Sequence, residues 1–158
     1  TLQSAFQVIY ENIKMARFYG ELGYAMDNKI TVAGWMAFNH YTMDRELKPW
    51  QLPTLEAGVK GIYNLGDKIL LGLDVFYVGT RYAKMTRVDK ITSTGIDFKI
   101  DSRKLNGFID ASINAEYRYT KKLAAFIKIN NLAAQQYQIW NNYPSQRING
   151  MLGVNFSF

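Results

Sequence analysis

Apolar and polar residues alternate along most of the chain with a period of two. In Leu105–Thr120 the odd positions are apolar or small, whereas the even positions include Asp110, Asn114 and Glu116. A helix would mix these two sets, but successive residues of a strand point to opposite faces of a sheet. The pattern therefore predicts a β-strand with one apolar face and one polar face.

The same alternation predicts about eight strands, and no window has the pattern of an amphipathic helix. Most of these strands reach the ~9–11 residues that a tilted strand needs to cross a membrane. Their approximate bounds are Leu2–Tyr10, Met15–Met26, Ile30–Met43, Thr54–Leu65, Ile69–Ala83, Leu105–Thr120, Leu123–Leu132 and Arg147–Phe158.

Short and long connections alternate from the second strand onward. The short turns are Asp27–Lys29, Gly66–Asp67 and Lys121–Lys122, and the long loops are Asp44–Pro53, Lys84–Lys104 and Ala133–Gln146. All short turns then lie at one end of the sheet and all long loops at the other, as in barrels of the bacterial outer membrane. The prediction is an all-β, antiparallel up-and-down membrane β-barrel.

The predicted polar faces carry equal numbers of acids and bases. Such a balance suits the inside of a barrel, where unpaired charges are costly, while the apolar face contacts lipid. The opposite polarity, a soluble lipocalin-like carrier, remains an alternative. The predicted lumen charges are Arg17, Glu21, Glu56, Lys60, Asp74, Asp110, Glu116, Arg118, Lys128 and Arg147.

Aromatic residues recur on the apolar faces at the short-turn end. Rings at one height form the girdle that anchors a barrel at the membrane interface. The predicted girdle consists of Tyr24, Tyr63, Tyr117, Tyr119, Phe156 and Phe158.

Composition excludes several classes of protein. The 158 residues carry a net charge of +6 without a dense basic run, which argues against a nucleic-acid partner. There is no cysteine and only one histidine, His40, so we expect no disulfide, metal or other cofactor. No serine motif surrounds His40, and we therefore expect no catalytic residue and no enzymatic activity.

The segment Asn130–Tyr137, NNLAAQQY, resembles a known element. Asn131-Leu132, four residues and then Tyr137 is similar to the N-L-x-x-x-x-Y element of TonB-dependent outer-membrane receptors. The continuation IWNNYPSQRINGMLGVNFSF resembles the final segment of that family, and Ala57–Ala83 resembles a hairpin of its members from anaerobic gut bacteria. The resemblance covers about the last 100 residues.

This resemblance implies a barrel of about 22 strands, plugged by an upstream domain and driven by an energy-coupling protein. Residues 1–158 would then be a single barrel domain or segment without the plug. Leu152, Val154, Phe156 and Phe158 look like the C-terminal signal read by the barrel-assembly machinery, with strand addition as its physical basis.

Two outer loops hold the candidate ligand contacts. Aromatic rings that could stack on a sugar or a chelate are Trp50, Tyr137, Trp140 and Tyr143.

The loop Lys84–Lys104 carries six bases and three acids, and its alternation predicts a strand above the membrane with a bulge near Ser102–Lys104. Its partner would be anionic glycolipid or substrate, unless it is simply solvated.

The sequence therefore predicts an outer-membrane β-barrel, the C-terminal part of a TonB-dependent receptor-like transporter of metal chelates, cobalamin or glycans. One alternative is a complete eight-stranded barrel with a structural or adhesive role, since eight strands can fill their own interior. As part of a larger barrel, the chain would have open edges that could also self-associate.

Overall fold

The computed structural model describes residues 10–92 and 95–158, and its regular elements are strands. Within these ranges no helix is long and apolar enough to cross a membrane. The strands are β1 (Ile13–Met26), β2 (Ile30–Met43), β3 (Leu55–Leu65), β4 (Ile69–Val78), β5 (Arg81–Thr92), β6 (Gly95–Leu105), β7 (Phe108–Arg118), β8 (Leu123–Asn130), β9 (Gln138–Trp140), β10 (Tyr143–Pro144) and β11 (Asn149–Phe156).

Seven strands form one antiparallel sheet in the order β1-β2-β3-β4-β7-β8-β11. The hairpins β5–β6 and β9–β10 form separate two-stranded sheets at the long-loop end. In the described part of the chain β1 and β11 each pair with one neighbour, so the sheet has two free edges. The predicted antiparallel meander is confirmed, and the open sheet is consistent with part of a larger barrel.

The bounds around β5 and β6 correct the sequence prediction. The strand predicted over Ile69–Ala83 ends at Val78, and Leu105 belongs to β6 instead of β7. The strand predicted within the loop Lys84–Lys104 is confirmed as β6, but most of the rest of this loop is also strand, because β5 pairs with β6 along its length. The register shift lies between Val88 and Lys90 and not near residues 102–104. Of the first predicted strand, residues 2–9 lie outside the described residues.

Two glycines let the β5–β6 hairpin leave the main sheet. The amide of Gly79 donates to the carbonyl of Leu55 at 2.8 Å, and a Cβ at Gly79 would lie 2.9 Å from that oxygen. A Cβ at Gly107 would lie 2.9 Å from the carbonyl oxygen of Val78. Both positions therefore require the absence of a side chain, which explains why the strands stop here.

The short turns have the geometry that twisted hairpins favour. Asp27 and Asn28 have φ values of 46° and 54°, and Gly66 and Asp67 have values of 59° and 57°. Two successive positive φ angles are typical of the type I′ turn, which matches the twist of the flanking strands. The predicted turns at these positions are therefore set by residues that tolerate the left-handed region.

Register aligns the apolar residues across all seven strands. One row runs through paired residues from β1 to β11, and it has no charged member: Tyr24, Val32, Gly61, Leu73, Ile113, Ile129 and Gly150. We call this side the apolar face and the opposite side, which carries Lys60 and Asp74 as a cross-strand pair, the polar face. A single layer of sheet leaves the apolar face, and the polar face away from the long-loop end, uncovered by the rest of the chain.

Burial is concentrated at the long-loop end. Apart from Gly58 and Gly79, the buried residues of the described part are Ala37, Asn39, Arg81, Ala83, Leu105, Phe108, Asp110 and Asn131. The chain exposes 12168 Å², whereas a compact soluble monomer of its 18.2 kDa mass exposes about 8,000 Å². The excess includes large apolar side chains of the sheet, such as Leu22 and Leu152. Such a surface requires lipid or further protein to cover it.

The polar face has sockets in which a large side chain lies over a glycine of the next strand. A Cβ at Gly58 would lie 2.5 Å from Nε1 of Trp35. We expect Gly58→Ala to destabilise the folded protein by about 1–3 kcal/mol, because the indole must move. The matched control is Gly61→Ala in the same strand, where the nearest atom, Cβ of Leu73, lies 3.9 Å away. Urea midpoints in detergent micelles measure both, and equal midpoints would contradict the socket.

Candidate functional site

Arg81, the first residue of β5, is buried at the long-loop end of the sheet. Its side chain is 4% exposed, and its two terminal nitrogens donate to the carbonyls of Ile139 at 2.9 Å and Gln138 at 2.8 Å. The guanidinium lies 5.2 Å from the ring centroid of Phe108. Burial lowers the pKa of Arg81 from its ordinary value. Arg81 therefore holds strand β9 against the polar face at the long-loop end of the sheet.

Tyr137 covers the polar face of β7. Its ring stacks on Phe108 with centroids 3.7 Å apart and planes 3° apart. Its hydroxyl donates a hydrogen bond to the carboxylate of Asp110, which is 7% exposed. Phe108 and Asp110 are two residues apart in one strand and therefore share a face. The loop that carries Tyr137 thus folds inward over the polar face.

Asn131 holds the base of this loop, residues 131–148, which we call the capping loop. Its side chain is 2% exposed and its amide nitrogen donates to the carbonyls of Gln135 and Gln146, both at 2.8 Å. Its side-chain oxygen accepts from the amide of Gln135 at 3.1 Å. Asn131 has a φ of 52°, which asparagine tolerates better than most residues. The Asn-Leu…Tyr element is therefore explained by the closure of this loop.

A second loop, residues 44–54, is fixed against β5. Glu46 forms an ion pair with Lys84 at 2.7 Å and accepts from Nε1 of Trp50 at 2.7 Å. These hydrogen bonds, first that of Lys84, lower the pKa of Glu46. Nζ of Lys48 lies 3.6 Å from the ring centroid of Tyr82. This loop therefore packs against the β5–β6 hairpin.

The four predicted aromatic contacts do not form one cluster. Trp140 and Tyr143 are cross-strand partners in the β9–β10 hairpin, and each exposes more than half of its surface. Tyr137 instead packs on Phe108, and Trp50 bonds to Glu46. Only the β9–β10 pair therefore presents aromatic surface to solvent as a unit.

Comparison with known proteins finds likeness in structure alone. No family model matches the chain, and no curated protein matches it in sequence. The ferripyoverdine receptor of the outer membrane of Pseudomonas aeruginosa aligns with a TM-score of 0.74 and 15% identity over 94% of this chain. The siderophore receptor PirA from Acinetobacter baumannii aligns with a TM-score of 0.74 and 15% identity over 91%.

The ferric-catecholate import receptor Fiu of E. coli aligns with a TM-score of 0.69 and 16% identity over 94% of the chain. The chain spans only 20% to 22% of the length of these three structures. It has the fold of an outer-membrane receptor barrel. The resemblance noted in the sequence is therefore confirmed at the level of the fold, and the match to about a fifth of each structure agrees with a barrel segment.

The predicted girdle residues lie at the short-turn end of the sheet. Tyr24, Tyr63, Tyr117 and Phe156 are in strands, and all of them are exposed. Tyr119 and Phe158 lie just beyond β7 and β11. Phe156 and Phe158 contact each other edge to face, with centroids 5.3 Å apart. The proposed assembly residues Leu152, Val154 and Phe156 all lie on the apolar face of β11.

Nine of the ten predicted lumen charges lie in strands, on the polar face of the sheet. Arg147 precedes β11. Among the described residues, the ion pair of Arg118 with Glu116 at 2.8 Å is the one that joins two members of the set. Glu56 accepts from the amide of Asn39 at 3.2 Å, and Asp110 accepts from Tyr137. Many contacts of these charges are thus with neutral groups.

Two basic residues lie on the apolar face at the long-loop end of β1 and β2. His40 is exposed and lies directly opposite Ala16, and β1 begins early enough to include Lys14. The described residues contain no group of three or more His, Cys, Asp or Glu that could hold a metal ion. Lys14 is a charge that the predicted strand bounds had left outside the apolar face.

Sequence reasoning missed Arg81, Phe108 and the role of Asn131 in the loop. One signal was present, because Arg81 occupies an odd position of the predicted strand Ile69–Ala83 and would have faced lipid. A charge there indicates that the alternation has been interrupted, as it is at Gly79 and Thr80.

The hydrogen bond of Tyr137 predicts a transition at alkaline pH. Burial, followed by the bond to Asp110, raises the pKa of Tyr137 from 10.0 to about 12. The folded loop therefore favours the neutral phenol. Its contribution is present below pH 10 and is lost as the pH rises through about 12.

We expect Asp110→Asn to lower the pKa of Tyr137 towards its ordinary value. Ultraviolet titration of phenolate formation measures this, with Tyr137→Phe subtracted to isolate the one residue. Asn149, which bonds to Asn130 at 3.0 Å, gives a control variant, Asn149→Ala. An unchanged titration in Asp110→Asn would contradict the assigned hydrogen bond.

Proposed function

We propose that this chain is the C-terminal part of the barrel of a TonB-dependent receptor-like transporter that takes up iron chelates across the bacterial outer membrane. The observation that carries the proposal is the uncharged apolar row across all seven strands of a sheet that shares its fold with siderophore receptors. The three similar receptors are named for ferripyoverdine, for a siderophore and for ferric catecholate.

The membrane and partner assignments follow from the same surface. The apolar face meets lipid, and the girdle residues at its short-turn end lie at the periplasmic interface. The alternating apolar residues of β11 are read by the assembly machinery as an added strand. The free edges of β1 and β11 pair with further strands of the same barrel, and the polar face meets a plug domain coupled to the inner membrane. A second copy of the chain at these edges is the alternative.

Uptake by cells tests the function. The complete protein would be expressed in a bacterium that lacks its own iron-chelate receptors and grown under iron limitation with single chelates. We expect growth and uptake of radioactive iron with at least one chelate, abolished when the energy-coupling protein is deleted. Normal surface levels without uptake of any chelate, combined with uptake of cobalamin or a glycan, would contradict the iron assignment and retain the barrel.

A further inference from the structure

Among the described side chains of the β5–β6 hairpin, residues 81–89, 91 and 99–105, one face carries more positive charge than its one carboxylate, Asp101, can balance. Pairing places Arg103 opposite Ala83, Asp101 opposite Met85 and Lys99 opposite Arg87 on this face. Arg87 bonds to Asp101 at 3.0 Å, and both side chains are exposed. Like charges directly opposite each other in a sheet are destabilising. The ion pair offsets only part of this local cost, which is of the kind expected where residues serve binding.

The position of Arg81 shows which way this face points. Arg81 lies on the same face of the hairpin, since it is two, four and six residues before Ala83, Met85 and Arg87. Its guanidinium lies over Phe108, whose strand neighbour on the same face is Asp110. The basic face is therefore continuous with the polar face of the sheet. It borders the mouth of the barrel and not the lipid side.

A cavity of about 270 Å³ lies next to Arg103 of the basic face, between the end of β6 and the capping loop. Its lining includes Arg103 of the basic face, Lys104, whose side chain leaves the opposite face of β6, and Gln135, Gln136 and Gln138 of the capping loop, and no lining residue is acidic. The guanidinium of Arg103 donates to the side-chain oxygen of Asn142 at 3.3 Å, which connects the cavity to the turn between Trp140 and Tyr143. Cations and amides in one cavity suit a carboxylate or phosphate group.

We propose that this cavity and the basic face form a site for a water-soluble anionic ligand. Arg103 and Lys104 bind its carboxylate or phosphate groups, and Arg87 and Lys99 attract it from solution. The inference rests on the proposed function, because it specifies the charge of the molecule that is taken up. The same anionic chemistry occurs in lipid headgroups, but the bases lie on the polar side of the sheet.

Binding of citrate to the complete protein in zwitterionic detergent tests the site. Calorimetry should detect citrate and not its neutral trimethyl ester. We expect the double variant Arg103→Gln/Lys104→Gln to bind citrate at least about tenfold more weakly, since hydrogen bonds to charged groups are the strong ones. Lys99→Gln should slow the association of citrate at low salt, and this difference from the unaltered protein should disappear at high salt.

The matched control is Lys121→Gln/Lys122→Gln, which makes the same charge change at the short-turn end and should leave citrate affinity unchanged. Arg103→Lys, which keeps the charge, should restore most of the binding, and gel mobility verifies that each variant is folded. Equal citrate affinity in the double variant and the control, or no citrate binding by the unaltered protein, would overturn the proposal.

Vesicles of phosphatidylcholine with and without phosphatidylglycerol separate the two sources of the anion. If the double variant retains less phosphatidylglycerol than the unaltered protein does, while its citrate affinity is unchanged, the site is for lipid and the proposal is wrong. Citrate binding is measured without transport. Intact binding together with failed uptake in cells would therefore remove the proposed function and leave this site in place.

Discussion

Replacing Ile113 by arginine is expected to cost about 2–4 kcal/mol of folding free energy in a lipid bilayer. Ile113 is the central residue of β7, and its cross-strand partners on the apolar face are Leu73 and Ile129. A guanidinium at this position would meet hydrocarbon, where it finds neither water nor a partner. Urea titration of the complete protein in phospholipid vesicles measures the loss.

Ser112→Arg is the control, because the next residue in the strand points to the opposite face. Ser112 lies directly opposite Asp74, so an arginine there gains a carboxylate on the adjacent strand. We expect this variant to fold with a urea midpoint close to that of the unaltered protein. If both variants lost the same stability, or if Ile113→Arg lost none, the assignment of the lipid-facing side would be wrong.

The sheet could be predicted from the sequence because the polarity of each residue in a barrel strand shows which face of the sheet it lies on. A slip of one residue would exchange the two faces, so alternation and register must agree along the strand. Leu73 and Ile113 come from segments forty residues apart; the pattern puts both on the apolar face, and the structure pairs them directly. The turns at Asp27 and Asp67 could be predicted for a similar reason, since few residues accept a positive φ.

The geometry at the long-loop end of the sheet could not be predicted in the same way. This geometry depends on contacts between segments that are far apart in sequence, such as Arg81 with the carbonyls of Gln138 and Ile139. A periodic pattern carries no information about such contacts. Alternation within Lys84–Lys104 predicts a strand, but it does not show that this strand pairs with β5 in a sheet of its own. Its separation from the sheet depends on the close approach of Gly79 and Gly107 to backbone oxygens, which the sequence shows only as two glycines.

Replacing Asn131 by alanine is expected to release the capping loop and to cost about 2–4 kcal/mol. The side chain of Asn131 satisfies two carbonyls and one amide of the loop while it is almost fully buried. Alanine leaves these backbone groups without partners, and it tolerates the φ of 52° less well than asparagine. Local opening should therefore precede global unfolding.

Limited proteolysis of the complete protein measures this release, with cleavage expected within residues 133–146. The control is Asn130→Ala in the preceding position, where one side-chain bond to Asn149 at 3.0 Å is lost and the loop contacts remain. Because Tyr137 stacks on Phe108 within the same loop, opening should also expose its ring and lower the pKa of its phenol. Cleavage at equal rates in the two variants would show that Asn131 does not hold the loop. Cleavage in Asn131→Ala alone would establish that the Asn-Leu…Tyr element serves to close the mouth of the sheet.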